Sequence, residues 1–193
     1  MIKAGADVEA KNELGFTPLI LAVMVDNPEI VKLLIKAGAN IEATDDDAGR
    51  TALQHAVVLP HVSQETAKVL IKAGADVNGA LEDGDTLLMR AAACGKAEIV
   101  KLLAKQGLDV NQTNDKGSTA LMKAAAVNKE SCRMLAFSEM KWRPVGADAT
   151  DCVKALLKLG ADPRTKNKKG ETALSLAEKA GNAEVVKMLS KKK

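Results

Sequence analysis

Gly15-Phe16-Thr17-Pro18-Leu19 returns along the chain as Gly49-Arg50-Thr51-Ala52-Leu53, Gly84-Asp85-Thr86-Leu87-Leu88, Gly117-Ser118-Thr119-Ala120-Leu121 and Gly170-Glu171-Thr172-Ala173-Leu174. Subtracting neighbouring glycine numbers gives spacings of 34, 35, 33 and 53. A period near 33 marks stacked units, each of which can bury its apolar face only against the next. A second phrase keeps register with the first: Lys36-Ala37-Gly38-Ala39-Asn40, Lys72-Ala73-Gly74-Ala75-Asp76, Lys105-Gln106-Gly107-Leu108-Asp109 and Lys158-Leu159-Gly160-Ala161-Asp162. Two phrases in register specify an all-α repeat solenoid.

The stretch from Thr113 to Asp162 shows how one unit works. Asn114-Asp115-Lys116-Gly117 is turn chemistry, with Gly117 supplying a positive φ. Thr119 is placed to cap a helix by accepting a backbone N–H from its first turn. That helix, Leu121 to Ala126, is rich in Ala and so lets neighbours approach closely. A second helix around Cys152-Val153-Lys154-Ala155-Leu156-Leu157 carries its apolar residues on one stripe. Gly160 supplies the left-handed stop.

Gly-x-Thr-Pro-Leu, the Ala-rich helix, Glu-Ile-Val-Lys-Leu-Leu and Gly-Ala-Asp-Val-Asn together resemble the ankyrin repeat, most closely over Gly15–Ile41 and Gly84–Asn111. The resemblance covers almost the whole chain. It implies stacked helix-turn-helix units with short hairpin loops in a single domain. Its divisions are a partial repeat at 1–10, repeats at 11–43, 44–80, 81–112 and 113–165, and a C-terminal cap repeat at 166–193. Met1–Asp7 matches only the last helical turn and loop of a repeat, which suggests a fragment-like array. The family's His after Thr-Pro-Leu is replaced by Ile20, Gln54, Met89, Met122 and Ser175, so packing has to substitute for its hydrogen bonds.

The spacing of 53 places an insertion at about 128–147, between the helices of the fourth repeat. It contains Phe137 and the chain's single Trp, Trp142. A smaller break around Pro60-His61-Val62-Ser63 lengthens the corresponding loop of repeat two. Thr150 or Asp148 could cap the helix that follows the insertion.

Composition agrees with small-unit packing: aromatic residues make up 2% of the chain and hydrophobic residues 47%. The net charge of +3 hides a split, because residues 1–100 hold 9 Lys+Arg against 15 Asp+Glu and the remainder hold 19 against 10. In a solenoid this predicts an acidic end and a basic end. Cys94, Cys132 and Cys152 read as free thiols. No signal-peptide core or membrane-length apolar run is present, so a cytoplasmic location is expected, with a nuclear one also open.

Motifs for chemistry are missing. The sequence has no phosphate loop, no His-Glu-x-x-His and no Gly-x-Ser-x-Gly elbow. His55 and His61 read as solvent-facing loop residues, Asp45-Asp46-Asp47 as a hydrated fingertip, and Cys152 as a core residue in the place of Ile30 and Ile99. The basic runs at Lys166-Asn167-Lys168-Lys169 and Lys191–Lys193 lack interleaved aromatics and read as solvated rather than nucleic-acid-binding. No enzyme activity, metal or cofactor is expected, and a monomer is.

The resemblance implies a protein partner met by loop tips and the exposed face of the first helices. Carried over residue by residue, the candidate contacts are Glu13, Leu14, Phe16, Met24 and Val25, then Asp47, Arg50, Val58 and Leu59. Glu82, Asp83 and Asp85 follow in repeat three, Asp115 and Lys116 in repeat four, and Trp142 in the insertion. An apolar patch from Leu14 to Leu59 beside acidic tips has the make-up of a protein-binding site. The expected function is a non-catalytic interaction module. The alternative is a targeting segment of a larger enzyme or effector whose active domain precedes Met1.

Overall fold

The computed structural model describes residues 5–59, 61–79, 81, 84–127 and 149–191. Among these, ten helices occur: α1 (Pro18–Met24), α2 (Pro28–Lys36), α3 (Ala52–Val58), α4 (Gln64–Lys72), α5 (Leu87–Ala93), α6 (Ala97–Lys105), α7 (Ala120–Ala125), α8 (Ala149–Lys158), α9 (Ala173–Lys179) and α10 (Ala183–Ser190). The chain divides into two compact units, residues 1–77 and 78–193. The first holds α1–α4 and the second α5–α10.

The repeated Thr sets where each first helix begins. Thr17, Thr51, Thr86, Thr119 and Thr172 sit in extended backbone and accept the N–H of the residue three positions on. Each satisfies one of the donors that a helix N-terminus leaves open. The second recurring phrase ends α2, α4, α6 and α8: Gly38, Gly74, Gly107 and Gly160 take φ between 91° and 95°, where a side chain would be strained. Gly117 has the positive φ of 72° that its turn requires.

The positions that lack the family His are filled in two ways. Ile20, Met89 and Met122 are fully buried, replacing a polar link by apolar packing. Gln54 and Ser175 instead return a side-chain acceptor to the backbone N–H of their own capping threonine, closing a reciprocal capping box.

In the first unit α1 packs on α2 and α3, and α4 packs on α2 and α3. The core is Leu19, Ile20, Val23, Val31, Leu34, Leu53, Val57 and Leu70, all buried. Each contributes roughly 1.5–3 kcal/mol of apolar burial before entropic costs. In the second unit α5 packs on α6 and α7, α6 on α8, α7 on α8 and α9, and α10 on α8 and α9. Cys152 lies in this core, fully buried. Thr150 is a buried residue inside α8, so it is not that helix's cap, and Asp148 and Phe137 lie outside the described residues.

The period's small irregularities have local causes. The stretch between the glycine that ends a repeat and the Gly of the next phrase is 10 residues from Gly5, Gly74, Gly107 and Gly160, but 11 from Gly38. The added residue sits in the tip of repeat two, where Asp45 N–H donates to Arg50 O across the turn. The tips of repeats one, four and five close one residue sooner, from Asn12, Asn114 and Asn167 to Phe16, Ser118 and Glu171. The loop from Leu59 to Ser63 then accounts for two further residues before Gly74.

Candidate functional site

In four repeats the tip is folded by one short polar side chain. Asn12 Oδ1 accepts from the N–H groups of Leu14 and Phe16 at 3.1 and 2.9 Å. Asn114 does the same for Lys116 and Ser118, and Asn167 for Lys169 and Glu171. Asp45 takes this role in repeat two, accepting from Ala48 and Arg50. These Asx turns hold the residues between them outward. Glu13, Leu14, Asp47, Asp115 and Lys116 are accordingly exposed.

Among the described residues of the first unit, Leu14 and Val25 are the most exposed large apolar ones, at 65% and 69%. Phe16, Met24, Arg50, Val58 and Leu59 are half-buried. Phe16 meets the ring of His55 edge-on, with centroids 5.9 Å apart, the geometry that aromatic quadrupoles favour. The Met24 carbonyl lies 2.7 Å from His61 Nε2.

Both histidines and Asp45 correct the expectation from sequence. His55 lies within α3, 7% exposed, with Nε2 2.6 Å from Oδ2 of Asp45, which is itself 4% exposed. Burial pushes the His55 pKa below its usual range, outweighing the pull of the Asp45 carboxylate. Burial also raises the Asp45 pKa, but the donors from Ala48, His55 and Arg50 outweigh it and hold this carboxyl below the ordinary range. Asp45 is therefore an internal brace, although its neighbour Asp46 is exposed and pairs with Lys11 at 2.6 Å.

Asp85 is a second correction. Expected on an acidic rim, it is 2% exposed. Its carboxylate accepts from Asn114 Nδ2 at 2.7 Å and Lys123 Nζ at 2.9 Å, and lies 3.5 Å from the Arg90 guanidinium. The register explains both corrections. The residue between Gly and Thr in one repeat meets the residue four after Thr in the next, giving Phe16 against His55 and Asp85 against Lys123. The sequence signal was available: His55, Arg90 and Lys123 occupy positions where Leu21 and Leu176 stand in the terminal repeats.

A second ladder was also missed. Glu9 accepts from Asn40 N–H at 2.7 Å, Glu42 from Asp76 N–H at 2.9 Å, and Asn111 from Asp162 N–H at 2.8 Å. Its mark is a polar residue two after each Gly-Ala-Asx or Gly-Leu-Asp step. Glu82, Asp83, Trp142 and the insertion lie outside the described residues. Among the described residues, no group of three or more His, Cys, Asp or Glu could hold a metal ion, and no helix is long and apolar enough to cross a membrane.

The family model described as "Ankyrin repeats (3 copies)" matches residues 1–80 and 61–143. The chain belongs to the ankyrin-repeat family. Ankyrin repeats are generally protein-interaction modules. B-cell lymphoma 3 protein of Homo sapiens is 47% identical over 51 residues, which is 26% of this chain and 11% of that protein. Protein phosphatase 1 regulatory subunit 27 of Homo sapiens is 43% identical over 47 residues, 24% of this chain and 30% of that protein. The matches thus span less than a third of either relative. A much longer likeness is to a chain of the solved complex of the Bd0816 predatory endopeptidase from Bdellovibrio bacteriovorus with the immunity protein Bd3460. It has a TM-score of 0.73 and 36% identity and covers 99% of this ankyrin chain and 88% of that one.

Proposed function

We propose that this chain is a non-catalytic, immunity-type binding protein that docks on a peptidase. The observation that carries the reading is the 36% identity, over 99% of the chain, to a chain of a complex between an endopeptidase and an immunity protein. The contact is made by the tips and first helices, centred on Leu14 and Val25, with Glu13, Asp47, Asp115 and Lys116 as charged surroundings. Trp142, in the insertion, is a second anchor. The exposure of Leu14 and Val25 supports this placement, because large apolar side chains beside charged ones are typical of interface cores with polar rims.

Calorimetric titration against purified Bd0816 endopeptidase, with its hydrolysis rate measured in parallel, tests the reading. The expected result is a complex with Kd of about 1 µM or tighter and a lowered hydrolysis rate. L14E combined with V25E is expected to weaken binding at least ~10-fold, about 1.4 kcal/mol, without shifting the thermal midpoint. Failure to form a complex at about 100 µM, roughly −5.5 kcal/mol, refutes the proposal.

A further inference from the structure

Two cations share one carboxylate between α5 and α7. Asp85 is 2% exposed; Lys123 Nζ donates to it at 2.9 Å, while the Arg90 guanidinium stands off at 3.5 Å. Among the described residues, Asp85 is the only ion-pair partner of either cation. The cluster therefore carries a surplus positive charge. Arg90 is also incompletely satisfied. Its separation from Asp85 exceeds the roughly 2.7–2.9 Å of a charge-assisted hydrogen bond. Its Nε is buried with no hydrogen-bond acceptor among the described residues, a state that few donors occupy in native interiors.

Both cations remain open to solvent, with 24% of the Arg90 side chain and 27% of the Lys123 side chain exposed. One helical turn further on stand Ala93 in α5 and Ala126 at the end of α7. These residues are half-buried and too short to cover the cations from the same helix face. The other repeats carry nothing comparable at this position, four residues after the capping threonine. Leu21 and Leu176 are apolar there, and His55 is engaged by Phe16 and Asp45.

We infer that Arg90 and Lys123 form a carboxylate-binding subsite that takes an Asp or Glu side chain of the bound peptidase. The identity of that partner, though not the site itself, depends on the peptidase reading above. Charge complementarity selects the occupant: a second carboxylate balances two cations with two anions and supplies from outside the acceptor that Arg90 lacks. The planar guanidinium fork suits a carboxylate, and Lys123 keeps donors beyond the one given to Asp85. Because α5 and α7 are first helices, the proposed contact covers this spot. Covering it removes the water that makes exposed ion pairs weak.

Acetate, a minimal analogue of an acidic side chain, probes the subsite without any partner. In heteronuclear NMR spectra the Arg90 Nε–H resonance is expected to shift along a saturating curve with acetate and to respond little to chloride at matched ionic strength. Arg90→Leu assigns that resonance. Repeats one and five carry Leu at this position, and Asp85 keeps its bonds from Lys123 and Asn114 in the variant, so it is expected to fold. No acetate response, or one that chloride reproduces, overturns the inference. Calorimetric titration with Bd0816 endopeptidase then reads the contact itself. Arg90→Leu is expected to weaken the complex at least ~10-fold, and Arg90→Lys, which keeps the charge without the fork, by less. A complex that Arg90→Leu leaves unchanged or tightens overturns the inference. A saturating acetate response without any peptidase complex refutes the peptidase reading alone and upholds the carboxylate site.

Discussion

Replacing Asp85 by Ala is expected to be among the most damaging single changes to the second unit. The carboxylate is 2% exposed and lies within 2.9 Å of Lys123 Nζ, 2.7 Å of Asn114 Nδ2 and 3.5 Å of the Arg90 guanidinium. Removing one partner of a buried ion pair typically costs about 3–5 kcal/mol. Here the cations retain 24% and 27% of their side-chain exposure, so they partly rehydrate and the ionic part falls below that range. Asn114, 6% exposed, cannot, and an orphaned buried donor adds roughly 1–3 kcal/mol. A total near 3 kcal/mol follows, which is large against a domain stability of about 5–15 kcal/mol. Urea denaturation followed by far-ultraviolet circular dichroism measures it, with Asp85→Asn, which keeps one acceptor and the side-chain size, as the milder control. An Asp85→Ala variant within about 0.5 kcal/mol of the parent refutes the reasoning. It would mean that water replaces the carboxylate at no cost. The result also governs how binding experiments are read: reversing charge at Asp85 lowers the amount of folded protein and mimics loss of an interface contact.

Two further outcomes follow from the caps and the buried histidine. The folded-state pKa of His55 lies below its unfolded value, so below about pH 6.5 the unfolded chain takes up a proton that the folded one resists. Stability present above that pH therefore declines on acidification. Asp45, also lowered, adds a separate loss below its unfolded value of about 3.8, where the folded chain resists its proton in turn. Thermal midpoints from pH 7.5 to 5 are expected to fall for the parent and to stay flatter for His55→Gln; parallel slopes rule out His55 as the titrating group. Thr119→Ala, which removes the acceptor 3.3 Å from Met122 N–H, is expected to cost about 1 kcal/mol. A urea midpoint unchanged for that variant would mean that water caps α7 equally well.

Much of the architecture was legible because it is local. A capping threonine, an Asx turn and a left-handed glycine act within a few residues of chain, so their recurrence at Thr17 and Thr119 or Gly38 and Gly160 reports helix starts and stops directly. The surface was less legible because exposure is settled between repeats. Phe16, Asp85, Asp115 and Lys116 all belong to the tips or their edges. The first two are turned inward by His55 and Lys123, residues 39 and 38 positions further along, whereas the last two remain exposed.

By itself, then, the sequence determined that the chain is a stack of helix pairs, where the first helix of each repeat begins, where α2, α4, α6 and α8 end, and which repeats carry extra residues, since all of these follow from short-range backbone and capping chemistry. Only the tertiary structure decided that Asp45, His55 and Asp85 brace the interior while Ile30 faces outward. A charged or apolar side chain acquires its role from what the neighbouring repeat places against it, and that depends on packing across about a full period of chain.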